Sequence, residues 1–185
     1  LFLIDAPHNG GLGLSPQEYG LVQGTVGVIG LTIGGILGGI VASRDGLKKW
    51  LWPMVCAISL PDAVYIYLSY SLTGSLWIIN ACIFVEQFGY GFGFTAYMLY
   101  LIYYCQGEFK TSHYALCTAL MAFSMWLPGL ISGMLQEAVG YRMFFIIVVA
   151  ACSITFVVSS LLKIDPEYGK KKEELVEEEI EEKEG

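Results

Sequence analysis

Charged side chains are scarce in the first 164 residues of this chain. Only seven acidic and six basic residues occur there, and long apolar stretches separate them. Hydrophobic residues make up 55% of the sequence and the mean hydropathy is +0.59, which argues against an ordinary soluble domain. Lipid offers no hydrogen-bond partner to peptide groups, so apolar stretches of this length must form helices in a membrane. The sequence therefore predicts an all-α, polytopic membrane protein.

Motifs of catalysis and cofactor binding are also missing. The sequence has no G-x-S-x-G, H-E-x-x-H, Walker or dinucleotide-binding motif, so we expect neither an enzyme nor a cofactor. Its five cysteines lie in or beside apolar stretches without a C-x-x-C pair, which favours helix packing over disulfides or a metal site. Ten of the seventeen acids fall in residues 165–185. The net charge of −7 is thus a property of the tail, and we expect no nucleic-acid partner.

Five apolar stretches are long enough to cross a bilayer at 1.5 Å per residue. We predict helices at about 19–42, 50–70, 76–105, 113–139 and 142–162. They form one bundle over 18–163, preceded by the end of a lost helix with an external loop (1–17) and followed by a charged cytoplasmic tail (164–185). Ser15 and Glu18 predict a capping box at the start of the first helix. The chain begins at Leu1 with no signal-peptide pattern, so we expect a fragment of a longer protein.

Basic residues alternate between the links that join these stretches. The first link carries Arg44, Lys48 and Lys49, the second carries none, and the third carries Lys110. Basic loops tend to stay in the cytoplasm. We therefore expect the first and third links and the carboxyl terminus to be cytoplasmic, and the loop before the first helix to face outside.

Glycine is concentrated in the first predicted helix. Four pairs of glycines are spaced by four residues, namely 20/24, 30/34, 34/38 and 35/39. Small residues at this spacing allow the backbone of a second helix to approach closely. We interpret them as a packing surface.

Three acids, Asp62, Glu86 and Glu137, lie inside apolar stretches. Glu137 lies near the outer end of its helix, where it can reach the membrane interface, and the other two lie deeper. A carboxylate in lipid costs about 2.5–3.5 kcal/mol on insertion scales, so such acids usually face a cavity or a partner. One interpretation is proton coupling, and the alternative is a hydrogen-bonded acid that pins two helices together. Tyr65 falls on the same helical face as Asp62, and Gln87 follows Glu86 directly.

Tyrosines continue the helical face on which Glu86 lies. Residues at three- and four-residue spacing on this face are Glu86, Tyr90, Gly93, Tyr97, Tyr100 and Tyr104. Phenol rings can stack on sugar rings and bond hydroxyl groups, so this stripe favours a cavity lining. We predict that Gln87, Tyr90, Tyr97 and Tyr65 bind substrate. The alternative for the tyrosines is a belt at the membrane interface.

The first link has a recognisable pattern of glycine and charge. Residues 39–49 read G-I-V-A-S-R-D-G-L-K-K, which resembles the G-x-x-x-D-R-x-G-R-K loop of the major facilitator superfamily with the order of Arg and Asp reversed. The residues that carry the pattern are Gly39, Arg44, Asp45, Gly46 and Lys48. Such a loop can pair its charges with neighbouring helix ends and latch one conformation. The alternative is a basic loop that only sets topology.

Several longer segments resemble AmpG-type muropeptide permeases, within the peptide–acetyl-coenzyme A transporter group of that superfamily. They read E-Y-G-L-V at 18–22, F-V-E-Q at 84–87, G-x-G-x-T-A at 91–96 and F-x-x-S-H-Y-A-L-x-x-A-L at 109–120. The resemblance implies that the five helices are helices eight to twelve of a twelve-helix facilitator fold, which is most of its carboxyl-terminal six-helix half. It also implies that Glu86 occupies the position of the family's glutamate in helix ten.

We expect a secondary active transporter that imports peptidoglycan fragments (anhydromuropeptides), or related amino-sugar or peptide cargo, with protons across the inner membrane. Its partners would be a small-molecule substrate, protons, the lipid bilayer and the missing amino-terminal half of the same protein. A sugar, drug or acetyl-coenzyme A transporter of the same fold is the alternative. A membrane-embedded sensor is the alternative outside transport.

Overall fold

The computed structural model describes residues 2–72, 74–165 and 168. Its helical segments are labelled here in chain order. They are α1 (Pro16–Asp45), α2 (Leu47–Ser71), α3 (Leu76–Tyr104), α4 (110–139) and α5 (141–161), with a single 3₁₀ turn (Pro7–Asn9) before α1. No β-strand occurs in the described part of the chain. The architecture is all-α, as expected from the apolar stretches.

The start of α1 confirms the predicted capping box. The Glu18 amide donates to Ser15 Oγ at 3.3 Å, and the Ser15 amide donates to Glu18 Oε2 at 2.9 Å. These bonds satisfy two backbone donors that a helix start otherwise leaves unpaired. Beyond this cap, Gly20–Gly27 forms wider π-helical turns, which the sequence did not predict.

Two helices are interrupted. In α2 the regular helix ends at Ser59 and resumes at Ala63, because Pro61 cannot donate an amide hydrogen bond to the preceding turn. Between α4 and α5, Gly140 adopts φ 74° and ψ 164°, which breaks the helical run Lys110–Leu161. Positive φ is tolerated there because glycine has no Cβ. Asp62 consequently lies at a helix break and not in the middle of a continuous helix.

Glycines bring the backbones of α1, α2 and α3 into contact. A Cβ added at Gly30 or Gly38 would lie 2.9 Å or 3.0 Å from the carbonyl oxygens of Phe84 or Phe92, and one at Gly34 would collide with that of Phe88. In the same way, Gly89 and Gly93 on α3 abut Ala57 and Met54 on α2. This confirms the packing interpretation for the pairs 30/34 and 34/38. Gly20, Gly24 and Gly39 have open space beside them, so the other two pairs do not form such a surface within this chain.

The contacts of α5 show that it runs antiparallel to α2. Near the end of α2, the Arg142 guanidinium lies over the Tyr70 ring at 5.0 Å, and near its start the rings of Phe156 and Trp52 are 6.5 Å apart. Between them, Cys152 reaches Asp62. The helices thus converge on two hydrophobic clusters, one at each end of the bundle. The first contains Phe2, Leu3, Val22, Leu68, Ile79, Ile83 and Tyr141, and the second contains Ala42, Leu47, Leu51, Met54, Val55, Ala96 and Ile164.

Among the described residues, three helical stretches are long and apolar enough to cross a membrane by length and composition. They are Pro16–Asp45, Leu47–Ser71 and Lys110–Leu161. The count of five membrane crossings remains a prediction. Most of the predicted tail lies outside the described residues, although Tyr168 donates from its hydroxyl to the Leu99 carbonyl at 3.2 Å.

Candidate functional site

Glu86 lies near the middle of α3 with two polar side chains beside it. Gln87 Nε2 donates to Glu86 Oε2 at 2.9 Å, and the phenol of Tyr65 on α2 lies within hydrogen-bonding reach of the same carboxyl group. Gln87 also contacts α1, since its Cγ lies 3.4 Å from where a Cβ at Gly27 would be. Glu86 is therefore held where α1, α2 and α3 meet.

Asp62 belongs to the same group of side chains. Its Oδ2 accepts from the Cys152 thiol on α5 at 3.4 Å, and its carboxyl group interacts electrostatically with the phenol of Tyr65 and the carboxyl group of Glu86. Two carboxylates repel when both are charged, and the repulsion disappears when either takes a proton. We call Asp62, Tyr65, Glu86 and Gln87 the acid cluster. The structure thus brings the two predicted acids together through a shared tyrosine.

Most of the tyrosine stripe lines a single cavity of about 310 Å³. Tyr90, Gly93, Tyr97 and Tyr100 form its α3 wall, opposite Met121, Ser124 and Met125 on α4. We call this space the tyrosine cavity. It is largely apolar with phenol groups on one side, which suits the flat faces of sugar rings. Tyr104 is 69% exposed and is not among the lining residues, so the stripe leaves the cavity at its carboxyl end.

A second cavity of about 300 Å³ lies at the other end of the bundle and was not predicted. Its polar lining comes from α1, α2, α4 and the start of α5, and Tyr65 connects it to the acid cluster. The lining residues are Phe2, Leu3, Tyr19, Gln23, Tyr65, Ser132, Gly133, Gln136, Tyr141, Phe144 and Phe145. We call it the Gln23 cavity. The Oε1 atom of Gln23 is buried and has no hydrogen-bond partner among the described residues.

Gln23 was not predicted because its helix carries no acid inside the apolar stretch, whereas Gln87 directly follows Glu86. A buried amide oxygen without a partner costs about 1–3 kcal/mol, which a bound hydrogen-bond donor would recover. The available signal was that Gln23 is an amide in an otherwise glycine-rich and apolar helix. That signal marks the residue but does not show that its oxygen reaches a cavity.

The segment before α1 closes this end of the molecule. Tyr141, at the start of α5, donates its hydroxyl to Asp5 Oδ2 at 2.7 Å, and Asn9 donates to Asp5 Oδ1 at 3.1 Å. These bonds, the one from Tyr141 first, hold the pKa of Asp5 below its ordinary value of 3.8. The Phe2 ring packs against the Tyr141 ring with 5.1 Å between centroids. The segment therefore lies over the Gln23 cavity as a hydrogen-bonded cover.

The predicted latch loop has a defined conformation. Gly46 adopts φ 86°, which allows the sharp turn from α1 into α2. Asp45 accepts from Lys49 Nζ and from Trp50 Nε1, each at 2.9 Å, so its charge is paired within the loop. Gly39, one turn earlier, has open space around it. The roles of Arg44 and Lys48 as parts of a latch are not tested by these contacts.

The described residues contain no group of three or more side chains of the metal-binding types.

Known proteins match the chain over most of its length. The profile of the Major Facilitator Superfamily matches residues 2–183. The anhydromuropeptide permease of Escherichia coli K12 is 30% identical over 141 residues, which is 76% of this chain and 28% of the permease. A Rickettsia prowazekii protein described as putative transporter AmpG 1 is 30% identical over 135 residues, or 73% of this chain and 30% of that protein. No solved structure gives a significant match.

The chain spans less than a third of the length of these relatives. Its apolar helices and its match to the superfamily agree in indicating a multi-pass membrane protein. The resemblance read from the sequence segments is thereby confirmed: the chain belongs to the major facilitator superfamily and is similar to AmpG-type permeases.

Proposed function

We propose that the intact protein imports anhydromuropeptides, or closely related amino-sugar peptides, together with protons across the inner membrane. The observation that carries the proposal is the acid cluster beside the tyrosine-lined face of α3. The similarity to the Escherichia coli anhydromuropeptide permease supports this class of cargo.

The proton step is assigned to Glu86, with Asp62 as its electrostatic partner. Glu86 is half-buried and interacts with Tyr65 and Asp62 on α2, and its partner Gln87 contacts α1. A change in its charge therefore acts on α2 directly and on α1 through Gln87. Charged Glu86 favours contacts with the donors Gln87 and Tyr65, and neutral Glu86 relieves its repulsion with Asp62. The free energy of protonating Glu86 therefore differs between two conformations that place these helices differently. Such a difference is what couples proton binding to a conformational change.

Cargo binding is assigned to both cavities. Tyr90 and Tyr97 offer ring faces and hydroxyls in the tyrosine cavity, and Tyr65 and Gln23 offer polar groups in the Gln23 cavity. An amino-sugar peptide has both sugar rings and amide N–H donors, and the unpaired Gln23 oxygen fits the latter. Gln87 would tie the bound cargo to the proton site through its bond to Glu86.

The remaining part of the protein would supply the second half of an alternating-access transporter. Facilitator-type transporters bind cargo near the midplane between two halves that rock around it. Exposed apolar side chains on α4, including Leu116, Leu120 and Leu127, offer surface for such a partner or for lipid. In this arrangement the loop around Arg44, Asp45 and Lys48 latches one state from the cytoplasmic side, where the carboxyl terminus also lies.

The test is uptake into proteoliposomes that contain the full-length protein. Glu86→Gln should reduce uptake driven by a pH gradient by about 100-fold, a typical loss for a removed proton-transfer group. It should spare counterflow of labelled anhydromuropeptide, which needs no net proton movement. The matched control is Glu137→Gln, because Glu137 is an exposed acid on α4.

Each possible result decides between functions. Unchanged gradient-driven uptake in the Glu86→Gln protein would remove the proton role of this residue. Uptake of a simple sugar, a drug or acetyl-coenzyme A in place of the muropeptide would retain transport but replace the cargo. Binding of muropeptide without movement into the vesicles would favour a sensor.

A further inference from the structure

The sulfur atoms of Cys105 and Cys117 lie 3.9 Å apart. Cys105 caps the carboxyl end of α3, and Cys117 lies two turns into α4. The sequence places them only twelve residues apart, across the short link between these helices. Both are free thiols in the structure.

This separation is van der Waals contact between two sulfurs and needs only a small movement to become a bond. A disulfide requires about 2.05 Å between sulfurs, which a rotation of the side chains can supply if the Cβ atoms are suitably placed. The link between the helices contains Gly107 at φ 97°, and the surrounding residues of α4 are mostly exposed, so little packing opposes the adjustment. The geometry therefore differs from that of cysteines that only fill space.

Cys105 is buried, but it lines a third cavity of about 500 Å³ at this end of the bundle. The other lining residues are Ile102, Gln106, Lys110, Thr111 and Tyr114. A lysine, an amide and a hydroxyl are suitable partners for the carboxylates and peptide groups of a small anionic disulfide such as oxidised glutathione. The cavity therefore gives a small polar oxidant a route to a sulfur that is otherwise covered.

We propose that Cys105 and Cys117 form a reversible disulfide that ties α3 to α4 and holds the tyrosine cavity in one shape. The thiolate of one cysteine attacks a sulfur of oxidised glutathione and releases one glutathione thiolate. The second cysteine, as its thiolate, then attacks the protein sulfur of the mixed disulfide and releases the second glutathione thiolate. The protein loses two electrons and two protons, and one oxidised glutathione becomes two reduced glutathione molecules.

The consequence for the tyrosine cavity follows from which helices form its walls. Tyr97 and Tyr100 come from α3 and precede Cys105 by one to two turns, whereas Met121 and Ser124 come from α4 and follow Cys117 by a similar distance. A covalent bond beside this cavity limits how far its walls can separate. This consequence for transport depends on the proposed function, but formation of the disulfide does not.

Peptide mapping tests the bond itself. The full-length protein in native membrane vesicles is exposed to oxidised glutathione, its remaining thiols are alkylated, and the digest is analysed by mass spectrometry. We expect the Cys105 peptide joined to the Cys117 peptide, and we expect this product to form faster at higher pH because thiolates are the attacking species. Alkylation of both cysteines after this treatment, or stable glutathione adducts without the joined peptide, would overturn the proposal.

Uptake tests the consequence. Oxidation should lower muropeptide uptake by about 5-fold or more, and dithiothreitol should restore it. Cys105→Ser and Cys117→Ser should each abolish the response to oxidant, whereas Cys82→Ser, on the same helix as Cys105 but distant from the pair, should retain it. If the Cys105 and Cys117 peptides are joined but uptake is unchanged, the disulfide does not hold the tyrosine cavity in one shape, and that part of the proposal is wrong. If the reduced wild-type protein transports no muropeptide, the proposed function fails, and the peptide map still decides whether the disulfide forms.

Discussion

Helices α1 to α3 and helices α4 and α5 are packed in different ways. Within an apolar segment of 18 residues in each stretch, 28% of the residues are buried in Pro16–Asp45 but only 6% in Lys110–Leu161. The first three helices approach through glycines, so that backbone meets backbone. Helices α4 and α5 contact the rest through scattered side chains such as Tyr114, Tyr141, Arg142 and Cys152.

Helices α1 to α3 thus form a closely packed, rigid part of the chain. The positions of α4 and α5 depend more on what surrounds them. Lipid is as apolar as leucine, so close packing and not hydrophobicity holds helices together in a membrane. Helices α1 to α3 have such packing within this chain, and they carry Glu86, Gln87, Asp62 and Tyr65. Helix α4 forms a wall of both cavities with little packing of its own, which suits a part that shifts when cargo binds.

The largest expected effect is at the backbone contact between α1 and α3. Gly34→Ala places a methyl group against the Phe88 carbonyl, and forcing the helices apart should cost about 3 kcal/mol, at the upper end for overpacking. The measurement is thermal unfolding of the full-length protein in detergent. Gly24→Ala is the control, because a Cβ there meets nothing within 4 Å. Equal stability of the two variants would show that the helices are not in close contact.

The sequence predicted this contact only in part. Four-residue glycine spacing indicated a close-packed surface on α1, and Gly30, Gly34 and Gly38 form it. The same spacing at Gly20 and Gly24 leads to open space, because spacing defines a helical face but not what lies opposite. The glycines in the middle of α3 also serve as contacts with α1 and α2, and α3 is a continuous helix there.

The next effect is at the acid cluster, within the rigid part. Tyr65→Phe removes the hydroxyl that lies within hydrogen-bonding reach of Glu86, and a loss of about 1 kcal/mol should lower proton-driven uptake by about 5-fold. Tyr67→Phe is the matched control, since Tyr67 is on the same helix and 54% exposed. Initial rates of uptake at a fixed pH gradient give the comparison. A similar loss in both variants would mean that the Tyr65 hydroxyl has no special role.

The spacing of residues in the sequence predicts which side chains share a helical face, but not which helix lies opposite that face. Helical spacing placed Tyr90, Tyr97 and Tyr100 on one face, and the structure places them on one cavity. It could not show that Glu86 interacts with Tyr65 on α2 and does not line that cavity. Nor could spacing join Asp62 to Glu86, because the two belong to different helices whose register is set by glycine packing.

A smaller effect is expected where α5 meets the segment before α1. The pKa of Asp5 is lowered chiefly by the Tyr141 hydroxyl, so this group stabilises the folded protein above pH 3.8 and loses that contribution as the pH falls below it. Tyr141→Phe should lower the melting temperature by a few degrees at pH 7 and by less at pH 3. Tyr104→Phe, at an exposed tyrosine, should show no such change with pH. A constant difference between wild type and Tyr141→Phe would show that the bond does not control Asp5.

The smallest expected effect is at Gly129 on α4. It lies one turn from Met125 of the tyrosine cavity and close to Ser132 of the Gln23 cavity, and a Cβ there would meet nothing within 4 Å. Gly129→Ala should therefore gain about 0.5–1 kcal/mol of stability from helix propensity, in contrast to the loss at Gly34. Gly129→Leu should retain stability while lowering uptake, because the longer side chain fills space between the two cavities. If Gly129→Ala lowers the stability, a part of the protein outside this chain packs against α4 at this position. The difference in packing between α1–α3 and α4–α5 would then hold for this chain alone and not for the whole protein.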